Sequence, residues 1–115
     1  MPRDAKLSTE KITPELIDYI VEKIVQEIQP EKIILFGSYA RGEFDRSSDL
    51  DLLIIKEDKQ SSREIRRKVD SLLRGRRFAV DLFVRKPKEI EWNIKAQNPF
   101  YLHHIFKDGK VLYEK

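Results

Sequence analysis

The sequence predicts an α+β (mixed α/β) fold, a small mixed β-sheet flanked by helices, and three observations carry that expectation. Apolar residues recur at helical spacing from Leu16 to Ile28, the apolar runs Lys32–Phe36 and Leu50–Ile55 are too short and continuous for helices, and the two periods alternate along the chain. With 115 residues the chain has the size of one domain. The expected division is a polar, loosely ordered segment over residues 1–12 and a single domain over 13–115.

Thr13 is placed to cap the first helix and Pro14 to open it, because proline lacks only an N–H that the first turn leaves unbonded. Leu16, Ile17, Ile20, Val21, Ile24, Val25 and Ile28 then form its inner stripe up to Pro30. Lys32–Phe36 reads as a buried strand stopping at Gly37, and a polar connection runs from Gly37 to Ser48. Asp49 to Ile55 reads as a central strand, since it is apolar on both faces beyond its carboxylates. Ser61 or Ser62 caps a helix to about Arg74, with Ile65, Val69, Leu72 and Leu73 inward and Gly75 to end it. Phe78 to Val84 is a third strand, with Phe78, Val80, Leu82 and Val84 on one face and Ala79, Asp81 and Phe83 on the other. Glu89–Gln97 and Pro99–Lys107 read as short helices, Asp108-Gly109 as a turn, and Val111–Tyr113 as a closing strand.

Composition narrows the chemistry. With no cysteine, thiol nucleophiles and Cys-based metal or redox centres are excluded. Charged residues make up 37% of the chain, yet 23 basic against 20 acidic groups leave only +3, so charge alone gives no case for nucleic acid as partner. No apolar stretch reaches the roughly 18 residues of a membrane span and residues 1–12 lack a signal-peptide core, so no membrane partner and a cytoplasmic location are expected.

Three features converge on one place. Asp49 and Asp51 are two apart at the start of a strand, so they project to one face with Leu50 on the other. Side-by-side carboxylates repel unless a positive charge sits between them, and an all-oxygen pair suits a hard divalent cation. Asp81, the sole acid in an apolar run, is expected in or near the core, where a charge needs a partner. Gly37 permits a tight turn and close approach to backbone, while Ser38 offers a hydroxyl and opens a short helix whose N–H groups face an anion. Arg41 adds a charged donor for a phosphate. Taken singly, a strand-start Asp often only caps a loop, so it is the combination that points to a phosphate seat beside a metal seat.

The stretch Gly37-Ser38-Tyr39-Ala40-Arg41-Gly42-Glu43-Phe44-Asp45-Arg46-Ser47-Ser48-Asp49-Leu50-Asp51-Leu52-Leu53, followed by Val80-Asp81-Leu82, resembles the signature of the DNA polymerase β-like nucleotidyltransferase superfamily. The likeness is to its minimal nucleotidyltransferases (MNT), the antitoxins of HEPN/MNT toxin–antitoxin modules, and it runs from the first helix to Glu114. The resemblance implies a polymerase β palm-like fold and two Mg2+ ions, or Mn2+, held by Asp49, Asp51 and Asp81. It further implies ATP as substrate, its β- and γ-phosphates on Gly37 and Ser38 with Arg41 beside them, and transfer of a nucleoside monophosphate, expected to be AMP, to a hydroxyl of a partner protein. A HEPN-domain toxin is the implied partner, and a homo-oligomer is a second way to complete the acceptor site. Two other readings stay open: an antitoxin that neutralises by contact alone, and an enzyme acting on a small molecule or an RNA end.

Two further groups stand out without a fixed role. Arg63, Arg66, Arg67, Lys68, Arg74, Arg76 and Arg77 form either a solvated helix face or a steering surface for an anionic partner. Trp92, Phe100, Tyr101, Ile105 and Phe106 are either packing residues of the last helices or a partner surface, with packing the expectation. The adjacent His103 and His104 diverge on a helix and do not share a metal.

Overall fold

A computed structural model describes residues 4–115. After a 3-10 turn at Ala5–Leu7 come α1 (Pro14–Ile28), β1 (Lys32–Phe36), α2 (Gly37–Arg41), β2 (Leu50–Ile55) and α3 (Ser62–Leu72). β3 (Val80–Arg85), α4 (Pro87–Lys95), α5 (Phe100–Lys107, wound as a π-helix) and β4 (Lys110–Glu114) follow. The four strands form one mixed sheet in the order β3-β2-β1-β4. β1 is antiparallel to both β2 and β4, while β2 and β3 run parallel because α3 carries the chain back across the sheet. The mixed α/β expectation therefore holds, and β2 is central as its two apolar faces require.

Strand alternation divides the interior into two layers. Ile33, Leu35, Leu50, Leu52, Ile54, Leu82 and Val84 face α1 and α3 in an aliphatic core that also takes in Ile20, Ile24, Ile65 and Val69. Ile34, Phe36, Leu53, Ile55 and Phe83 face Ile90 of α4 and Phe100, Tyr101 and Ile105 of α5. The helix starts are those expected from the caps: Thr13 accepts from Leu16 N–H at 3.1 Å and Ser61 from Glu64 N–H at 3.2 Å.

Some details differ from the sequence expectation, each for a local reason. Residues 1–3 lie outside the described residues, and from Asp4 onward the N-terminal segment is held: the Tyr19 hydroxyl donates to the Asp4 carboxylate, Lys23 Nζ pairs with it at 2.6 Å, and Leu7 is fully buried. α4 starts at Pro87 rather than Glu89, because Glu89 reaches back to accept from Lys86 N–H at 3.1 Å. β3 starts at Val80, the first residue paired with β2, which leaves the buried Phe78 in the preceding loop. In α5 the wider π turn brings Tyr101 and Ile105, four apart, onto the sheet side, where both are buried. Trp92 and Phe106 instead face outward, at 69% and 47% exposure, so the C-terminal aromatic group is split between packing and surface. No described helix is long and apolar enough to cross a membrane.

Candidate active site

β1 ends at Phe36, and the chain turns at Gly37 with φ +75° directly into α2. Two demands meet at that glycine. The left-handed backbone disfavours any side chain, and a Cβ there would lie 2.1 Å from Asp51 Oδ2. The Asp51 carboxylate is thus laid against the Gly37 backbone, so the turn and the acid form one unit. α2 ends at Gly42, also left-handed at φ +73°, whose N–H donates to the Ser38 carbonyl.

Asp51 sits opposite Phe36 on β1 and opposite Asp81 on β3. Both acids project to the α4/α5 side of the sheet, the side of Leu53 and Phe83. Burial raises the Asp51 carboxyl to about 6, helped by the charge of Asp81, a hydrogen bond shared with Asp81, and the charge of Asp49; Arg41 pulls the other way. The Asp51 carboxylate thus sits where a second negative charge beside it is disfavoured. A site of this kind lacks a positive charge.

The placement of the expected residues is uneven. Asp51 and Asp81 come together as neighbours in register. Asp81 is exposed and not in the core, because β3 is an edge strand, and strand order is not readable from sequence. Asp49 is exposed as well and lies one residue outside the ladder, which begins with Leu50 N–H donating to Ala79 O at 2.9 Å. Its charge nevertheless reaches Asp51. Among the described residues no three acids or histidines converge into a ready-made metal cluster. By donor chemistry the residues still fit a divalent cation: the adjacent carboxyls are hard oxygen ligands whose mutual repulsion a cation would relieve.

Arg41 is close enough to influence Asp51 but exposed, with Nε held 3.2 Å from Glu43 Oε2. Sequence reasoning missed that pairing, and it missed how the connection to Asp49 is fastened. Tyr39 and Phe44 stack at 4.4 Å and 14°, and Asp45 Oδ1 accepts from Ser47 N–H at 2.8 Å and Ser47 Oγ at 2.6 Å. Ser48 Oγ accepts from Asp45 N–H at 3.0 Å. An aspartate with serines two and three residues on is a recognisable turn signal. The aromatic stack has no sequence signal, since its partners stand five positions apart, one in α2 and one in the loop after it.

Comparison with known proteins agrees with this geometry. Residues 18–115 match the family model described as "Polymerase beta, Nucleotidyltransferase". Three Methanocaldococcus jannaschii proteins, each named "Putative protein adenylyltransferase", are 43% identical over 49 residues, 42% over 55 and 31% over 113. Those matches cover 43%, 44% and 92% of this chain, and 47%, 56% and 75% of the relatives; the chain thus spans about half the length of the first two. Among solved structures, a Sulfolobus solfataricus protein described as a "putative nucleotidyltransferase" aligns with TM-score 0.60 at 24% identity, covering 88% of this chain and 79% of that one. A structure of the toxin–antitoxin MntA–HpeT aligns with TM-score 0.51 at 20% identity, covering 91% and 75%. At these identities the two structures establish the fold.

Proposed function

The chain belongs to the polymerase β nucleotidyltransferase family, and from that premise we propose that it transfers AMP from ATP to a hydroxyl of a partner protein with the help of a divalent metal. The observation that carries the reading is the seat itself: Asp51 and Asp81 side by side across β2 and β3, with Gly37 pressed against Asp51. Asp51 and Asp81 would hold the metal, with Asp49 joining from the end of the preceding loop. When bound, Mg2+ or Mn2+ supplies charge neutralisation for the triphosphate and a lowered pKa for the acceptor hydroxyl.

The chain's own groups account for the rest of the transfer. The acceptor oxygen attacks the α-phosphorus, the bond from that phosphorus to the bridging oxygen of the β-phosphate breaks, and pyrophosphate leaves. The hydroxyl proton goes to the Asp81 carboxylate, which is exposed and can return it to water. Gly37 and Ser38 would hold the β- and γ-phosphates, and Arg41 would exchange Glu43 for a phosphate oxygen.

A protein acceptor is supported by the names of the three archaeal relatives. That this acceptor is a HEPN-type toxin, with the present chain as cytoplasmic antitoxin, rests on the resemblance of the Gly37–Asp51 motif, and one solved neighbour of the fold stands in a toxin–antitoxin pair. The exposed position of Asp49 outside the ladder favours a second reading, an antitoxin acting by contact alone.

The test is incubation with α-labelled ATP, magnesium and a lysate of the source organism, beside Asp49→Asn and Asp51→Asn controls. A labelled protein band that both controls lack is expected. Label confined to RNA would make the chain a tailing enzyme. A co-purifying partner that stays unlabelled would replace transfer by contact.

A further inference from the structure

Five basic groups of the surface are neutralised at close range. Lys23 pairs with Asp4, Lys32 with Glu114, Arg41 with Glu43, Arg76 with Asp70 and Arg77 with Glu10. Along the free edge of β3 six others gather. Arg63, Arg66 and Arg67 on α3, Arg85 at the end of β3, and Lys86 and Lys88 at the start of α4 form no ion pair among the described residues. The fold makes them continuous. Arg66 Nε donates to the Leu82 carbonyl at 3.1 Å, and Arg85 Nη1 to the Val84 carbonyl at 2.8 Å, so two guanidinium groups line the outer edge of β3. Ser62 Oγ lies 3.4 Å from Glu89 Oε1, which joins the start of α3 to the start of α4.

This strip begins beside the site. Leu82, which Arg66 holds, is the residue after Asp81, and Asp81 is exposed on that same edge strand. Two of the edge carbonyls are already taken by arginines, which opposes an added strand there and presents charge in its place. We infer that this strip is where the acceptor docks and that the acceptor is a protein with an acidic surface, which brings its hydroxyl to Asp81. The inference rests on the transfer reading proposed above. Nucleic acid suits the strip less well. Glu64 on α3 and Glu89 on α4 interrupt it, which opposes a continuous phosphate backbone.

A random glutamate–tyrosine copolymer serves as the probe, being acidic and hydroxyl-bearing, with a lysine–tyrosine copolymer and single-stranded RNA as the alternatives. Binding is followed by fluorescence anisotropy without nucleotide, and Mg–ATP binding is measured separately, so failure of the docking and failure of the transfer reading are distinguishable. Arg63→Glu/Arg67→Glu changes two exposed groups, neither of them among the site residues. It should weaken the acidic copolymer about tenfold or more and leave Mg–ATP binding unchanged. Arg77→Glu, on the ion-paired side, should bind the copolymer like the parent, and the parent's affinity should fall with salt. Equal binding by the double variant and the parent would overturn the inference. So would RNA binding more tightly than the copolymer and losing as much in the double variant.

Discussion

On the side of the sheet covered by α1 and α3, β2 contributes Leu50, Leu52 and Ile54, all fully buried, whereas to the side covered by α4 and α5 the same strand contributes Asp51, Leu53 and Ile55. The first layer is almost wholly aliphatic. The second is smaller and partly aromatic, with Phe36 edge-on to Phe83 and Phe100 and those two tilted against each other, all at 5.4–5.7 Å, and it opens at one end onto the two carboxyls. An acid at position 50 or 52 would be stranded among hydrocarbon, but at 51 it can reach Asp81 and water. The difference teaches a division of labour within one strand: alternate residues serve cohesion on one face and chemistry on the other.

Adjacent truncations in β2 test that division most strongly. Leu52 and Leu53 are both fully buried, one in each layer. Leu52→Ala should cost about 3–4 kcal/mol, because the thick aliphatic layer cannot close over the cavity, and Leu53→Ala about 2–3 kcal/mol, because the smaller layer can relax. Urea denaturation of both variants gives the comparison directly. Equal losses would mean that the two layers are mechanically one.

At the acid end, Gly37→Ala places a methyl group where Asp51 Oδ2 lies, 2.1 Å away, on a backbone at φ +75°. Left-handed strain and the displaced carboxylate together should cost about 2 kcal/mol and reduce nucleotidyl transfer on the order of a hundredfold. A variant with intact transfer would show that Asp51 need not rest on the turn. A smaller effect belongs to the metal. If Asp51 is a ligand, Mg2+ at ten times its dissociation constant should stabilise the parent by about 1.4 kcal/mol and Asp51→Asn by almost nothing, as thermal melts with and without the ion would show.

Much of this division was legible in the residues themselves. Helical spacing in α1 and α3 and the continuous apolar runs of β1 and β2 declare themselves because burial repeats with the period of the element. Asp51 and Asp81 declare themselves because carboxylates in apolar strands need a reason to be there. The exposure of Asp81 was not legible, since it depends on β3 being an edge, and lateral strand order leaves no mark within a strand. Nor was the contact of Gly37 with Asp51, which joins residues 14 apart through the β1–β2 register. The π winding of α5 was hidden for a different reason: Phe100, Tyr101 and Ile105 satisfy an ordinary helical pattern equally well.

The aliphatic layer is finished by the N-terminal segment, and its fastening is pH-dependent. The hydrogen bonds from Lys23 and Tyr19 lower the Asp4 carboxyl from 3.8 to about 2. A lowered carboxyl adds stability that is present above the unfolded value and lost as pH falls through the folded one, here between about pH 4 and 2. With the pair still partly in contact with water, the contribution is about 1 kcal/mol. Asp4→Asn should therefore be less stable than the parent by that amount at pH 7 and indistinguishable from it near pH 2 in urea titrations at the two pH values. A difference unchanged by pH would mean that Asp4 acts through shape and not through charge.

The mildest test uses the same local strain in both layers. Gln29 and Gln97 are the two non-glycine residues with positive φ among the described residues, at 54° and 55°. Gln29 caps α1 against the aliphatic layer, and Gln97 ends α4 in the smaller one. Glycine relieves such a conformation by about 0.5–1 kcal/mol at either position. The global consequence should differ. α1 unfolds only with the main core, so Gln29→Gly should raise the melting temperature by a few degrees. α4 and α5 cover an open, less deeply packed face and can detach before the rest, so Gln97→Gly should slow hydrogen exchange in residues 87–107 and leave the global melt unmoved. Equal rises in melting temperature would show that the face bearing the acids is as firmly joined to the fold as the face opposite, and that the two sides of β2 differ in chemistry alone.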